Sequence, residues 1–282
     1  MPQTSLYLIP LNPIHGKCEP GGLKKISREK GYNNQPSFSK SGGKIYFVTS
    51  VKEGGTDVVE YGLKKNSWFV FKSPQTSEYS PMETADGKGV SVVRVEKDST
   101  QRIWVIYRNG KPDFCPAPFA DSIGYYAFAG KDTLLAFIIS NPPNTGWFSI
   151  SSGKEAWHNS GFGITGRSFT SLHSLIPGMV LLTRSLNDSV RVFEVRNFKG
   201  ELAGPVFRFP GTGQDFAMSK GGEIFVGYGS RILKAKPDFS RNEFMGVDWI
   251  EIGDFSKQGI KNISRLAISP DGKNLVFVDI EN

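Results

Sequence analysis

Cysteine and histidine are scarce: two and three residues respectively among 282. Cys18 and Cys115 lie far apart, and neither has a second cysteine at ligand spacing, which excludes a paired-cysteine metal site. Two free thiols are the default reading, with a single disulfide as the alternative. The histidines are His15 in an N-terminal turn, His158 at the end of an outer strand and His173 beside an inner strand. No Gly-x-Ser-x-Gly elbow accompanies them, so nucleophilic catalysis has little support, and His173 reads as a hydrogen-bonded histidine of a half-buried strand. No run of ten residues has clear helical periodicity, and none approaches the ~20 apolar residues of a membrane span. The first residues, Met-Pro-Gln-Thr-Ser, are no signal peptide, so any export leader would precede Met1.

Charge of one sign dominates weakly, with a net charge of +7 and a pI near 9.3. The cations are dispersed into turns, as at Lys24, Lys25, Lys64, Lys65, Lys111 and Lys199, and form no basic stripe interleaved with aromatics. A solvated surface is the reading, not a nucleic-acid partner. The string Gly161-Phe-Gly-Ile-Thr-Gly166 matches Gly-x-Gly-x-x-Gly in letters only. It lacks the strand and helix of a dinucleotide site and is expected to be a loop between blades.

What the chain has is 32 glycines and 17 prolines spread between short Val, Ile, Phe and Tyr runs, the pattern of many short strands and turns. The run from Ile263 to Val278 reads as a hairpin around Ser269-Pro-Asp-Gly-Lys273. Its four consecutive apolar residues, Leu275 to Val278, call for cover on both sheet faces. Similar turns recur at Ser41-Gly-Gly-Lys44, Ala85-Asp-Gly-Lys88, Ala129-Gly-Lys131, Ile176-Pro-Gly-Met179 and Lys220-Gly-Gly-Glu223. The residues after the last glycine of each turn, Lys44, Lys88, Lys131, Met179, Glu223 and Lys273, stand 44, 43, 48, 44 and 50 positions apart. A repeat of that length built from four short strands predicts an all-β, six-bladed β-propeller with four-stranded antiparallel blades.

The spacing predicts one domain over 1–282, with blades at about 33–73, 78–116, 121–160, 166–210, 213–254, and 262–282 joined by 4–27. The last unit stops after its second strand, and Ser5 to Leu11 with Leu23 to Ile26 supply the missing pair. The N-terminal strands are therefore expected to complete the C-terminal blade and close the ring. The longest interval is ascribed to an insert, Lys236 to Val247.

Asn34-Gln-Pro-Ser-Phe-Ser-Lys-Ser-Gly-Gly-Lys44 and Ser264-Arg-Leu-Ala-Ile-Ser-Pro-Asp-Gly-Lys273 resemble the WD-like Pro-Asp repeat of TolB-like six-bladed propellers, and Glu78 to Lys88 is a weaker copy. The resemblance spans essentially the whole chain but is strong in three of the six units. It implies a bacterial, envelope or periplasmic setting if a leader was removed, and a non-catalytic scaffold that holds a protein or peptide partner at the channel mouth. A monomer is expected.

In such a ring the loops before the inner strands line the mouth. They supply Asn33, Asn34 and Gln35; Ser77, Glu78 and Tyr79; Asp121 and Ser122; Arg167 and Ser168; Gln214 and Asp215; Lys261, Asn262 and Arg265. No catalytic residue and no cofactor is assigned. The competing expectation is a Ca²⁺-dependent lactonase-type or carbohydrate-active hydrolase, with Glu78, Asp121 and Asp215 as ligands helped by Asn34 and Asn262. Arg167, Arg265 and Lys261 in the same ring weigh against that much negative charge. Most aromatics, among them Phe47, Trp104, Phe137, Phe225 and Phe277, are assigned to the wedges between blades. Tyr79 is expected to be exposed at the mouth, and Phe162 and Phe169 are candidates for its floor.

Overall fold

The computed structural model describes residues 1–12, 14–52, 54–73, 76–130, 132–141, 144–150, 158–159, 169–172, 174–211, 213–241 and 243–281. Six small sheets form a ring. The chain opens with β1 (Thr4–Pro10) and β2 (Lys24–Lys25), which belong to the last blade. Blade one is β3 (Asn33–Phe38), β4 (Lys44–Ser50), β5 (Thr56–Gly62) and β6 (Ser67–Phe71). Blade two is β7 (Ser77–Glu83), β8 (Val90–Val95) and β9 (Gln101–Ile106). Blade three is β10 (Ile123–Ala129), β11 (Thr133–Ile138), β12 (Asn144–Ser149) and β13 (His158–Asn159). Blade four is β14 (Phe169–Ser171), β15 (Met179–Ser185), β16 (Arg191–Asn197) and β17 (Leu202–Arg208). Blade five is β18 (Phe216–Met218), β19 (Ile224–Tyr228), β20 (Arg231–Ala235) and, beyond β21 (Phe244–Met245), β22 (Ile250–Asp254). Blade six orders β2 and β1 beside β24 (Asn274–Ile280) and β23 (Ile263–Ile268).

The apolar runs occupy the second strands, where both faces are covered. Leu275, Val276, Phe277 and Val278 are fully buried, as are Ile45, Phe47 and Val48. Blade six packs Leu6, Ile26, Val276 and Val278 against Ile45, Phe47, Val59 and Tyr61 of blade one. Each such side chain contributes about 1.5–3 kcal/mol on leaving water. The wedge between blades four and five is aromatic. Phe193 stacks on Phe207 at 4.9 Å, Phe209 at 5.1 Å and Trp249 at 6.1 Å.

The turn after each inner strand is built alike in all six blades. Gly42, Gly87, Gly130, Gly178, Gly222 and Gly272 all have φ between 69° and 86°, a region that costs glycine no steric penalty. In four blades a hydroxyl stitches the turn. Ser39, Thr84, Ser219 and Ser269 accept from the amides of Lys44, Gly89, Glu223 and Asn274 at 2.9–3.1 Å. Asp86 and Asp271 add a carboxylate that accepts from Thr84 or Ser269 and from the amide of Lys88 or Lys273. Blades three and four lack the hydroxyl and aspartate yet keep the left-handed glycine.

Closure follows the expected pairing. All seven residues of β1 pair antiparallel with β24, from Thr4 opposite Ile280 to Pro10 opposite Asn274. Asn33, expected at the mouth, instead locks this blade to blade one. Its Nδ2 donates to the carbonyls of Thr4 and Glu29 at 3.0 and 2.9 Å, and its Oδ1 accepts from Thr49 at 2.9 Å.

Two details depart from the four-strand expectation. Blade two carries a single bridge, Val105 to Phe114, in place of a fourth strand. The blade-five insert does not simply bulge out. Its β21 pairs in parallel with β17, Phe244 beside Val206, and so gives blade four a fifth strand. Both thiols are free. No helix among the described residues is long and apolar enough to cross a membrane.

Candidate functional site

The inner strands begin earlier than the sequence suggests. Asn33 to Gln35 and Ser77 to Tyr79, expected in loops, are the first halves of β3 and β7. Each strand continues through a proline because it carries a bulge there, with the register shifting between Asn34 and Ser37 and between Tyr79 and Met82. A bulge leaves an unpaired position where the missing N–H of Pro36 or Pro81 costs nothing. Within these bulges Gln35 and Ser80 have φ of 59° and 50°, a region that side-chain-bearing residues enter only where the surroundings hold them. The holding groups are visible. The Ser80 amide donates to Gln35 Oε1 at 2.6 Å, the Gln35 amide to Asn34 Oδ1 at 2.7 Å, and Ser37 Oγ to the Pro81 carbonyl at 2.6 Å. The bulges therefore tie blade one to blade two and redirect the side chains that reach the axis.

All six inner strands border a central cavity of about 330 Å³. Its wall is mainly apolar, with Phe38, Met82, Tyr126, Phe169, Phe216, Met218, Leu266 and Ile268, and its charged groups are Asp215 and Arg265. Gln35, Tyr125, Asp215 and Arg265 also border a mouth of about 520 Å³, with Tyr32, Tyr79, Gln101, Ile139 and Met1 around it. These four residues are common to both hollows and form a polar collar where they meet. A third hollow of about 500 Å³ joins the mouth at Asp215, Ser264 and Ile280 and runs outward past Gly211, Gly213, Gly227 and Gly229. Glycine is required at Gly227, where a Cβ would lie 2.2 Å from the Ile263 carbonyl oxygen.

Arg265 sits in another bulge, between Ile263 and Leu266. Its Nη2 donates to Tyr125 Oη at 2.9 Å, and its guanidinium lies 5.1 Å from the centre of that ring. Burial opposes the charge, but Asp215, Tyr125 and Tyr32 outweigh it and hold the pKa above the ordinary arginine value.

The predicted site residues divide. Asn34, Gln35, Tyr79, Asp215 and Arg265 border the mouth, while Gln214 and Asn262 border the outward hollow. Glu78 does not join them. It is fully buried, its Oε1 accepting from Arg94 Nε and Thr76 Oγ1, both at 2.8 Å, and Arg94 continues to Asp113 at 2.7 Å. Asp121 accepts from the amides of Gln101 and Ser122, and Ser122 supplies its carbonyl to Ile139 at 2.7 Å, so both serve the strand ends. Arg167, Ser168, Phe162 and His173 lie outside the described residues. The set Glu78, Asp121 and Asp215 is thus not gathered at one centre. Among the described residues no group of three or more His, Cys, Asp or Glu is placed to hold a metal ion. Tyr125, Tyr32, Gln101 and Ile139 escaped the sequence reading. The available signal was Gly124-Tyr125-Tyr126, two adjacent tyrosines that directly follow the glycine at which the β10–β11 register shifts. Tyr126 is buried, donating to Ser91 Oγ at 2.8 Å, and borders one hollow only, while Tyr125 borders both.

Solved structures share this arrangement across the whole chain. A protein assigned as TolB from Agrobacterium tumefaciens superposes with a TM-score of 0.69 at 11% identity, covering 100% of this chain and 99% of that one. The fold is that of a TolB-like six-bladed β-propeller. TolB from Acinetobacter baumannii matches at a TM-score of 0.58 and 11% identity, over 100% of this chain and 64% of that one. No family model matches the sequence, and no curated protein matches it. At this identity the TolB-like likeness concerns architecture, and the chemistry rests on the site itself.

Proposed function

We propose that this TolB-like propeller is a non-catalytic scaffold that binds a protein or peptide partner at its channel mouth, in the bacterial cell envelope. One observation carries the reading: a polar collar of Gln35, Tyr125, Asp215 and Arg265 stands where two largely apolar hollows of the channel meet. Concave sites with an apolar wall and few convergent polar groups are where proteins take ligands. The likeness to TolB structures supports the envelope setting.

The hydrolase reading has less to stand on, because Glu78 and Asp121 serve separate structural tasks and leave Asp215 alone of the three at the mouth. The test is capture from an envelope extract by immobilised protein. Tyr79→Ala and Ile139→Glu, both at the mouth, are expected to reduce capture at least tenfold with unchanged melting temperature. Phe244→Ser, on the outer rim, is expected to leave capture intact. Capture unaffected by the two mouth variants would place the partner elsewhere.

A further inference from the structure

Resting on the channel-mouth reading above, we propose that Arg265 receives a peptide carboxylate, from a chain end or an acidic side chain, presented by an extended segment entering through the mouth. The inference starts from a contrast between two arginines. Arg94 spends its fork on Glu78, Asp113 and Ser73, all within hydrogen-bond reach. Arg265 makes one side-chain hydrogen bond among the described residues, to Tyr125, although a guanidinium has five N–H donors. Arg265 borders both hollows of the channel, beside Phe38, Met82, Phe216 and Leu266 on one side and Tyr79 and Ile139 on the other. Among the described residues no nitrogen of its fork is sealed off without a partner, so its remaining N–H groups are within reach of an incoming anion. A planar fork in such a place suits a carboxylate, which takes two parallel hydrogen bonds.

The surroundings define the ligand further. The hollow on the other side of the collar, walled by Phe38, Met82, Phe216 and Leu266, accepts an apolar side chain next to the carboxylate, and its 330 Å³ falls near the lower end of small-ligand sites, ~300–1,000 Å³. The glycine-bordered hollow leading from the mouth leaves backbone exposed along the path of an extended chain. Asp215 shares the wall, and its charge acts on Arg265, so an incoming carboxylate competes with it.

The experiment is fluorescence anisotropy with three labelled pentapeptide pools, degenerate at their first positions and ending in Phe or Leu. One pool has a free α-carboxylate, one is amidated without acidic residues, and one is amidated with a single internal Glu. On the wild-type protein the free-acid pool or the Glu pool is expected to bind at least tenfold tighter than the amidated pool. The first result would assign the ligand to a chain end, the second to a side chain. Arg265→Gln is expected to abolish the preference, Tyr125→Phe to weaken it, and Asp215→Asn to strengthen it several-fold. Three pools that bind alike, pools that do not bind, or a preference that survives Arg265→Gln would overturn the assignment. If that happened while Tyr79→Ala and Ile139→Glu still abolished capture of the envelope partner, only the carboxylate assignment would fall. If capture were also untouched, the mouth reading would fall with it.

Discussion

Arg94 joins Glu78 of the inner strand to Asp113 beyond β9, at 2.8 and 2.7 Å, and its guanidinium lies 5.0 Å from the Trp104 ring. Removing the arginine leaves the Glu78 carboxylate buried without its cation. Arg94→Met is therefore expected to cost about 3–5 kcal/mol in chemical denaturation. Burial pushes the Glu78 carboxyl above its ordinary value of 4.5, Thr76 and Arg94 offsetting only part of it, and Oε2 has no hydrogen-bond partner among the described residues. The stability linked to this group is present below pH 4.5 and is lost as pH rises through the folded value. Asp86 and Asp271 have the opposite sign. Hydrogen bonds from Thr84 or Ser269 and from the following amides hold them below 3.8, so their contribution is present above that value and lost on acidification. Both are exposed and act weakly. Glu78→Gln should thus flatten the decline of the denaturation midpoint above pH 4.5 and leave the acid limb unchanged. An unchanged decline would show that Glu78 is not its source.

At the scale of the element, closure concentrates stability in β1. Leu6 and Ile9 are fully buried, and β1 covers the edge that β24 would otherwise present to solvent. Leu6→Ala is expected to cost about 2–5 kcal/mol, as buried leucine truncations do. Deleting residues 1–11 should go further and make the protein associate, which sedimentation velocity would detect. A truncated protein that stayed monomeric with full thermal stability would contradict the closure. The turns and second strands were legible in the sequence for physical reasons. A left-handed glycine and a strand covered on both faces leave signatures that depend little on the rest of the chain. The first halves of the inner strands were not. They read as loops because β3 and β7 each contain a proline and a bulge that interrupt the alternation of a regular strand, and the residue a bulge inserts changes which side chains face the axis. Glu78, expected in a loop, is the fully buried second residue of β7, and Tyr125 was overlooked. The parallel pairing of β21 with β17 is two residues long and leaves no periodic trace.

For the whole molecule, six wedges of differing sequence converge on one axis, and the polar groups that meet there come from strands up to 230 positions apart, as with Gln35 and Arg265. No local motif could announce that meeting; only the repeat length, by fixing the ring, implied it. The central claim is that the mouth bordered by Tyr79, Ile139 and Arg265 is where a partner is held. Its most direct test is site-specific photo-crosslinking in an envelope extract, with the probe at Tyr79, at Ile139, and, for comparison, at Phe244 on the rim and Lys64 in the β5–β6 turn. The account predicts a discrete protein adduct from the two mouth positions and none from the other two. Adducts from Phe244 or Lys64 with none from the mouth would contradict it.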